Sequence, residues 1–321
     1  MSKTLAPHPH TASRLALSEL APGAMQSEIR AMTTECDRIG GINLAQGVCD
    51  TPVPGPVENA AIAAILAGHN IYTRLDGIER LRKAIADKQQ RDYGLRYDPE
   101  TEVLVACGAT AGLHAACMAL LNPGDEVLVF EPFYGYHVST LKSMRVKPVL
   151  VPLAEPDWSL DVDAMRAAVT SKTRAMIVNT PANPSGKVFS RAELEAVAEL
   201  AREHDLFVFT DEIYEYFVYD GTKHICLATL EGMRERIVSA LRDAGMEPGV
   251  PAGAYYVLAR ATRLPGETAA QKARHLLAKI GVSSVAGSAF FRPGRGEDLL
   301  RFCFAKKDHD LDEACARLRR L

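Results

Sequence analysis

A carboxylate at the end of an apolar run is the first residue of this chain that asks for a partner. Asp211 directly follows Leu206-Phe-Val-Phe-Thr210, and a carboxylate taken out of water is costly unless a cation or a set of donors stands beside it. A protonated ring nitrogen, a helix end or a structural ion pair would each serve. Gly108-Ala109-Thr110 joins an apolar run to a helical pattern. Unpaired N–H groups and the positive end of a helix dipole there suit a phosphate, and Thr110 suits a plain N-cap equally well. Glu131-Pro-Phe-Tyr134 follows the next apolar run and offers flat rings, either for stacking on an aromatic ligand or for packing under a loop. Asn183-Pro-Ser-Gly186 is a turn sequence whose amide can donate to a phenolic oxygen or simply serve the turn. Arg301, in Leu300-Arg-Phe302, is a planar fork suited to a carboxylate, or else a strand cation at the surface.

Position gives these groups their weight. Short apolar runs rich in β-formers cover residues 102–107, 126–130, 147–151, 175–179 and 206–210, with helical spacing over 110–121, 135–144, 161–169 and 191–204 between them. That alternation predicts an α/β domain of three layers, a parallel sheet covered by helices on both faces. Ligands of such sheets collect beyond the carboxyl ends of the strands, where each of these groups except Arg301 falls. Further on, strands over 253–260, 281–286 and 299–305 interleave with helices near 268–280 and 308–321, which predicts a smaller C-terminal α/β domain. Residues 42–56 are rich in Gly and Pro and read as an irregular loop, and residues 1–11 as a loose arm. The expected division is 1–45 for the arm and part of the small domain, 46–238 for the large domain and 239–321 for the small one.

The 321 residues are enough for two such cores, and 47% hydrophobic with 24% charged residues is an ordinary globular composition. A net charge of -3 gives no electrostatic case for nucleic acid or for an anionic membrane surface, and no apolar run approaches a membrane span. Seven cysteines without a C-x-x-C pair suggest neither a disulfide framework nor a zinc site, which suits a reducing cytoplasm. No G-x-G-x-x-G opens a helix after the first strand, so a dinucleotide-binding dehydrogenase is a poor rival.

Taken in this order, the motifs Gly108-Ala-Thr110, Tyr134, Asn183-Pro-Ser-Gly186 and Asp211-Glu-Ile-Tyr214 resemble those of the fold-type-I pyridoxal phosphate (PLP) enzymes. More narrowly, they are similar to the class I/II aminotransferases of the kynurenine, methionine and aromatic amino acid group. The resemblance implies that Ala109 and Thr110 hold the cofactor phosphate, Tyr134 stacks on its ring, Asn183 and Tyr214 hydrogen-bond its phenolic oxygen, and Asp211 keeps its nitrogen protonated. It implies that Arg301 grips the substrate carboxylate, with Asn183 and Gly47 also at the substrate. Tyr72 reaches the phosphate of a neighbouring subunit, hence a homodimer. The implied reaction moves an amino group from an aromatic or sulfur-containing amino acid to a 2-oxo acid.

One part of the resemblance fails. The family's Ser-x-Ser-Lys segment should follow, yet residues 228–238 approach it and Ser239-Ala-Leu-Arg-Asp-Ala-Gly245 continues as the end of a much later helix. None of the twelve lysines has an equivalent context, and Lys187 and Lys223 read as solvated loop cations. Without the lysine there is no Schiff base and no base for the substrate proton, so this chain is expected to lack a catalytic residue, to hold PLP weakly and without a bond, and to turn over poorly or not at all. The alternative is a non-catalytic binding or dimerisation partner. By the same resemblance the lost stretch includes two sheet strands lying between residues 102–107 and 206–210. The sheet is then incomplete: the gap either stays open with apolar edges exposed, or closes and squeezes out the pocket. Residues 232–245 are expected to form one helix.

Overall fold

The computed structural model of the chain describes residues 19–20, 28–48, 51–93, 97–219, 247–248 and 253–321. The elements of the N-terminal part are α1 (Glu28–Arg38), β1 (Ile42–Asn43), α2 (Gly55–Leu66), α3 (Glu79–Tyr93) and α4 (Gly108–Leu120). The sheet region follows with β2 (Glu126–Glu131), α5 (Gly135–Ser143), β3 (Lys147–Pro152), α6 (Val162–Ala167), β4 (Thr173–Asn179), α7 (Arg191–Glu203) and β5 (Phe207–Asp211). The C-terminal part holds β6 (Glu247–Pro248), β7 (Tyr256–Arg260), α8 (Ala269–Ile280), β8 (Val282–Ser283), β9 (Val285–Ala286), β10 (Leu299–Cys303) and α9 (Asp308–Leu318).

Alternation along two strands sets the layers around the parallel sheet. Val127 and Val129 of β2, with Ala175 and Ile177 of β4, are buried with Cys117 of α4 and Val138 and Leu141 of α5. Their neighbours Leu128, Phe130, Met176 and Val178 are buried with Met165 of α6 and Val197 and Leu200 of α7. A strand apolar at every position needs cover on both faces, and the two helix pairs supply it. The sheet runs β3-β2-β4-β5, parallel throughout. Asn179 pairs in register with Asp211, so the carboxyl ends of β4 and β5 lie level.

Residues 102–107 are the departure from the expected sheet. They form no strand, and Val105 N–H donates instead to the Asp76 carbonyl at 3.0 Å. The reason is the lack of a ladder partner: among the described residues β5 pairs with β4 alone, and nothing pairs with 102–107. Phe207 and Val208 of β5 are left 38% and 37% exposed and Leu104 57% exposed, and among the described residues no strand pairs with the outer edge of β5.

Arg82 holds this region from the other side. Fully buried on α3, it donates to the carbonyls of Gly77 and Pro99 and pairs with Asp76 and Glu100. α2, by contrast, buries none of its residues, and Val57, Ile62, Ile65 and Leu66 face outward.

The C-terminal part holds an antiparallel sheet in the order β6-β7-β10-β9 backed by α8 and α9. Its core gathers Leu44, Val257, Leu276, Leu300, Phe302, Leu311 and Leu318. Residues 42–56 are more regular than their composition suggests, because β1 pairs with β8 and α2 begins at Gly55. The run 281–286 divides into β8 and β9, which pair with β1 and β10 respectively. The expected arm over 1–11, the expected helix over 232–245 and Lys223 lie outside the described residues.

Candidate functional site

α4 starts at Gly108 with Cys107 as N-cap, and no side chain caps it. Thr110 is therefore not the N-cap but lies within the first turn, where amide groups lack partners in the helix and the dipole is positive. Ala109 and Thr110 line a cleft of about 630 Å³ together with Tyr134, Asn183, Asp211 and Tyr214. Six of the residues singled out in the sequence thus meet at the carboxyl ends of the strands.

Two residues that sequence reasoning passed over hold this arrangement. His137, buried in the first turn of α5, places Nε2 2.8 Å from Asp211 Oδ2. Its signal was available: Tyr134 and His137 are three apart on a helix start, and their rings meet edge-on at 5.3 Å. Asn179, at the end of β4, donates from Nδ2 to the Asp211 carbonyl at 3.0 Å and accepts from the Asn183 amide at 2.9 Å. One side chain therefore fixes both the Asn183 turn and the end of β5. Burial pushes the Tyr134 phenol up to about 12, with the Tyr214, Tyr136 and Asp211 charges adding to it, so the ring stays neutral.

Arg301 is 1% exposed. It does not line the cleft but joins it through Asn183, whose Oδ1 accepts from Nη1 at 2.9 Å, while Nη2 donates to the Ala45 carbonyl at 2.6 Å. The guanidinium stands 4.2 Å from the Tyr256 ring centroid and 4.8 Å from that of Phe290. Among the described residues its hydrogen-bond acceptors are these two neutral oxygens, and its buried Nε has no acceptor. Gly47 lies against the same tyrosine, where an added Cβ would overlap the Tyr256 hydroxyl. Tyr256 in turn comes within 3.5 Å of the Tyr214 hydroxyl. Tyr72 is the residue the fold does not bring in: it is fully exposed, beside exposed Ile71 and Leu75, and lines no part of the cleft.

Lys187 is not the solvated cation its loop position suggested. It is buried, with Nζ 2.7 Å from Glu193 Oε1. Burial alone would raise the Glu193 carboxyl. The Lys187 ammonium, with amides of Ser190 and Leu160 donating at 2.7 and 2.9 Å, outweighs it and brings the carboxyl down to about 2. A depressed carboxyl stabilises the fold above its ordinary range and loses that contribution as pH falls through it. Glu193→Gln is expected to lower stability by about 1 to 2 kcal/mol at pH 7 and to flatten the acid limb of stability below about pH 4.5. Urea midpoints across pH would measure both.

Among the described residues no lysine lines the cleft, and none of their clusters could hold a metal ion. The first turn of α4, the Asp211 carboxylate and the Tyr134 ring thus line one cleft at the carboxyl ends of a parallel sheet, with Arg301 joined to it through Asn183. The chain belongs to the class I and II aminotransferases, which it matches over residues 39–231 and again over 226–318. It is similar to the probable N-succinyldiaminopimelate aminotransferase DapC of Mycobacterium tuberculosis, 34% identical over 392 residues that cover 95% of this chain and 98% of that one. It is also similar to aromatic-amino-acid aminotransferase 2 of Thermococcus litoralis, 37% identical over 227 residues, 70% of this chain and 58% of that one. The solved structure of N-succinyldiaminopimelate aminotransferase from M. tuberculosis superposes with a TM-score of 0.88 at 32% identity, covering 95% of this chain and all of the other. An alignment of 392 residues is longer than this chain of 321, so the mycobacterial relative carries an internal segment that is absent here. The two matched stretches meet at 226–231.

Proposed function

We propose that this chain holds pyridoxal 5′-phosphate without a covalent bond in the cleft between α4 and β5, and performs its family's amino transfer poorly or not at all. The observation that carries this reading is one cleft that gathers Ala109, Thr110, Tyr134, Asn183, Asp211 and Tyr214 and, among the described residues, is lined by no lysine. Bound there, the cofactor supplies an electron-withdrawing ring and an aldehyde that condenses with an amino group. The open first turn of α4 takes the phosphate, and Tyr134 covers a face of the ring. Asp211, aimed by His137, pairs with the ring nitrogen, and Asn183 and Tyr214 donate to the phenolic oxygen. Arg301 receives the α-carboxylate of the amino acid near Gly47. Among the described residues no amine lines the cleft to take the proton from the amino acid Cα, which is why turnover fails.

The substrate class is an aromatic or sulfur-containing amino acid with a 2-oxo acid as acceptor, in keeping with the Tyr256 and Phe290 rings beside Arg301. The name of the mycobacterial relative adds N-succinyldiaminopimelate as a second candidate. The exposed apolar residues of α2, with Ile71, Tyr72 and Leu75, are covered by a second copy, which brings Tyr72 to the neighbour's phosphate. The compartment is a reducing cytoplasm. No described helix is long and apolar enough to cross a membrane.

Borohydride reduction of the chain with PLP, followed by peptide mass analysis, tests the reading together with a single-turnover assay on phenylalanine. The expected result is no stoichiometric pyridoxyl adduct on any lysine, and no aminated cofactor beyond what free PLP forms. A stoichiometric adduct, or turnover faster than the free cofactor, would overturn it.

A further inference from the structure

We infer that the C-terminal part of this chain carries a second ligand site, separate from the cleft, for a phosphate monoester borne on an apolar body. α1, α8 and the end of α9 frame a cavity of about 1250 Å³ that shares no lining residue with the cleft. Its walls carry five cations, Arg38 of α1, Arg274 and Lys279 of α8, and Arg317 and Arg320 at and just past the end of α9. Two carboxylates, Glu35 and Glu313, stand among them.

Much of this charge is already answered. Arg38, Lys279 and Arg317 stand in the last turns of their helices, whose carbonyl ends carry about half a negative charge each. Arg38 pairs with Glu35 at 2.6 Å, and Arg317 pairs with Glu313 at 2.8 Å while Nη1 donates to the Ile280 carbonyl at 3.4 Å. The hydrogen bond from Arg317 holds the Glu313 carboxyl below its usual range, with a weaker attraction from Arg320. Two cations remain beyond these roles. Arg274, in the middle of α8, answers no helix end and meets no acceptor among the described residues. Arg320 donates from Nε to the Ala316 carbonyl at 3.2 Å, and among the described residues its two terminal nitrogens have no acceptor. Five cations set against two carboxylates and three helix ends leave a surplus of about 1.5 positive charges, close to the charge of about −1.5 to −2 on a phosphate monoester at pH 7. Guanidinium forks also suit phosphate oxygens in geometry. The rest of the wall is apolar: Leu277 is buried, Met32 and Ile280 pack on the core, and Ile39 is exposed. An ester on an apolar group meets both kinds of wall, while inorganic phosphate meets only the cations and a neutral organic molecule only the apolar side chains.

Isothermal titration calorimetry of the full chain with 1-naphthyl phosphate, inorganic phosphate and 1-naphthol tests this. The ester is expected to give a binding event that saturates below about 1 mM, with each half binding about tenfold more weakly or worse. Arg274→Gln with Arg320→Gln is expected to weaken that event about tenfold. Both side chains are exposed, so the double variant keeps the fold. Arg80→Gln, which removes an exposed cation of α3 outside the cavity, is expected to change nothing. Entry of the ester into the cleft gives a separate event that the double variant retains, so the site stands or falls independently of the cofactor reading. Absence of any event, or binding that the double variant keeps in full, overturns the site. Inorganic phosphate binding as tightly as the ester overturns the apolar body and with it the class of ligand proposed.

Discussion

Asp211→Asn is expected to weaken non-covalent PLP binding by about 100-fold while the fold is kept. Asparagine has nearly the same shape. It can still accept from the Ile213 amide, which donates to Asp211 Oδ1 at 3.3 Å, and still meet His137 Nε2. What it removes is the negative charge opposite a protonated ring nitrogen, so the loss reports that pairing and little else. Stability should hardly move, because the Asp211 side chain is 21% exposed and the substitution buries no unpaired charge. His137→Phe is expected to weaken binding less, since His137 acts on the ring only through the carboxylate it positions. Equilibrium dialysis of the cofactor against wild type and both variants gives the order. Unchanged affinity in Asp211→Asn would remove the ring nitrogen from Asp211 and with it the orientation proposed for the cofactor.

The cleft was legible because each of its groups sits at a place where a regular element ends. Asp211 closes an apolar strand, Thr110 opens a helix, and Tyr134 and Asn183 follow strands. Such boundaries leave signals of composition and period, and the parallel order of β2, β3, β4 and β5 follows from the same alternation. His137 and Asn179 were not legible in that way, because what they do depends on a contact across the sheet end rather than on their own neighbourhood in the chain. Lys187 misled for a related reason: Gly186 beside it suggests an exposed turn, while the partner that buries it, Glu193, is recognisable only as part of the Ser190 capping box of α7. Residues 102–107 show the limit from the opposite direction. Their sequence has strand character, but a strand exists only beside another, and among the described residues nothing pairs with them.

That missing neighbour sets the last expectation, a chain that self-associates through the outer edge of β5. Phe207 is exposed on this edge with Arg174 as its ring contact, Val208 beside it is exposed as well, and so is Leu104. A row of backbone groups with no described partner beside exposed apolar side chains is a template for another strand. β5 has five residues, and cross-strand pairs contribute about 0.2 to 1 kcal/mol each, so the ladder alone supports roughly millimolar association. Burial of the phenylalanine ring would strengthen this by a further 1.5 kcal/mol or so, about tenfold. Sedimentation velocity across concentration is therefore expected to show species larger than a dimer that grow with concentration. Phe207→Lys should remove them by placing a charge on the edge, while Leu66→Lys, on the outward face of α2, should dissociate the proposed dimer and leave edge association in place. PLP affinity should be untouched by Phe207→Lys, since Phe207 does not line the cleft. A discrete dimer at every concentration would show that the β5 edge is covered, and that edge would then not be what limits this chain in solution.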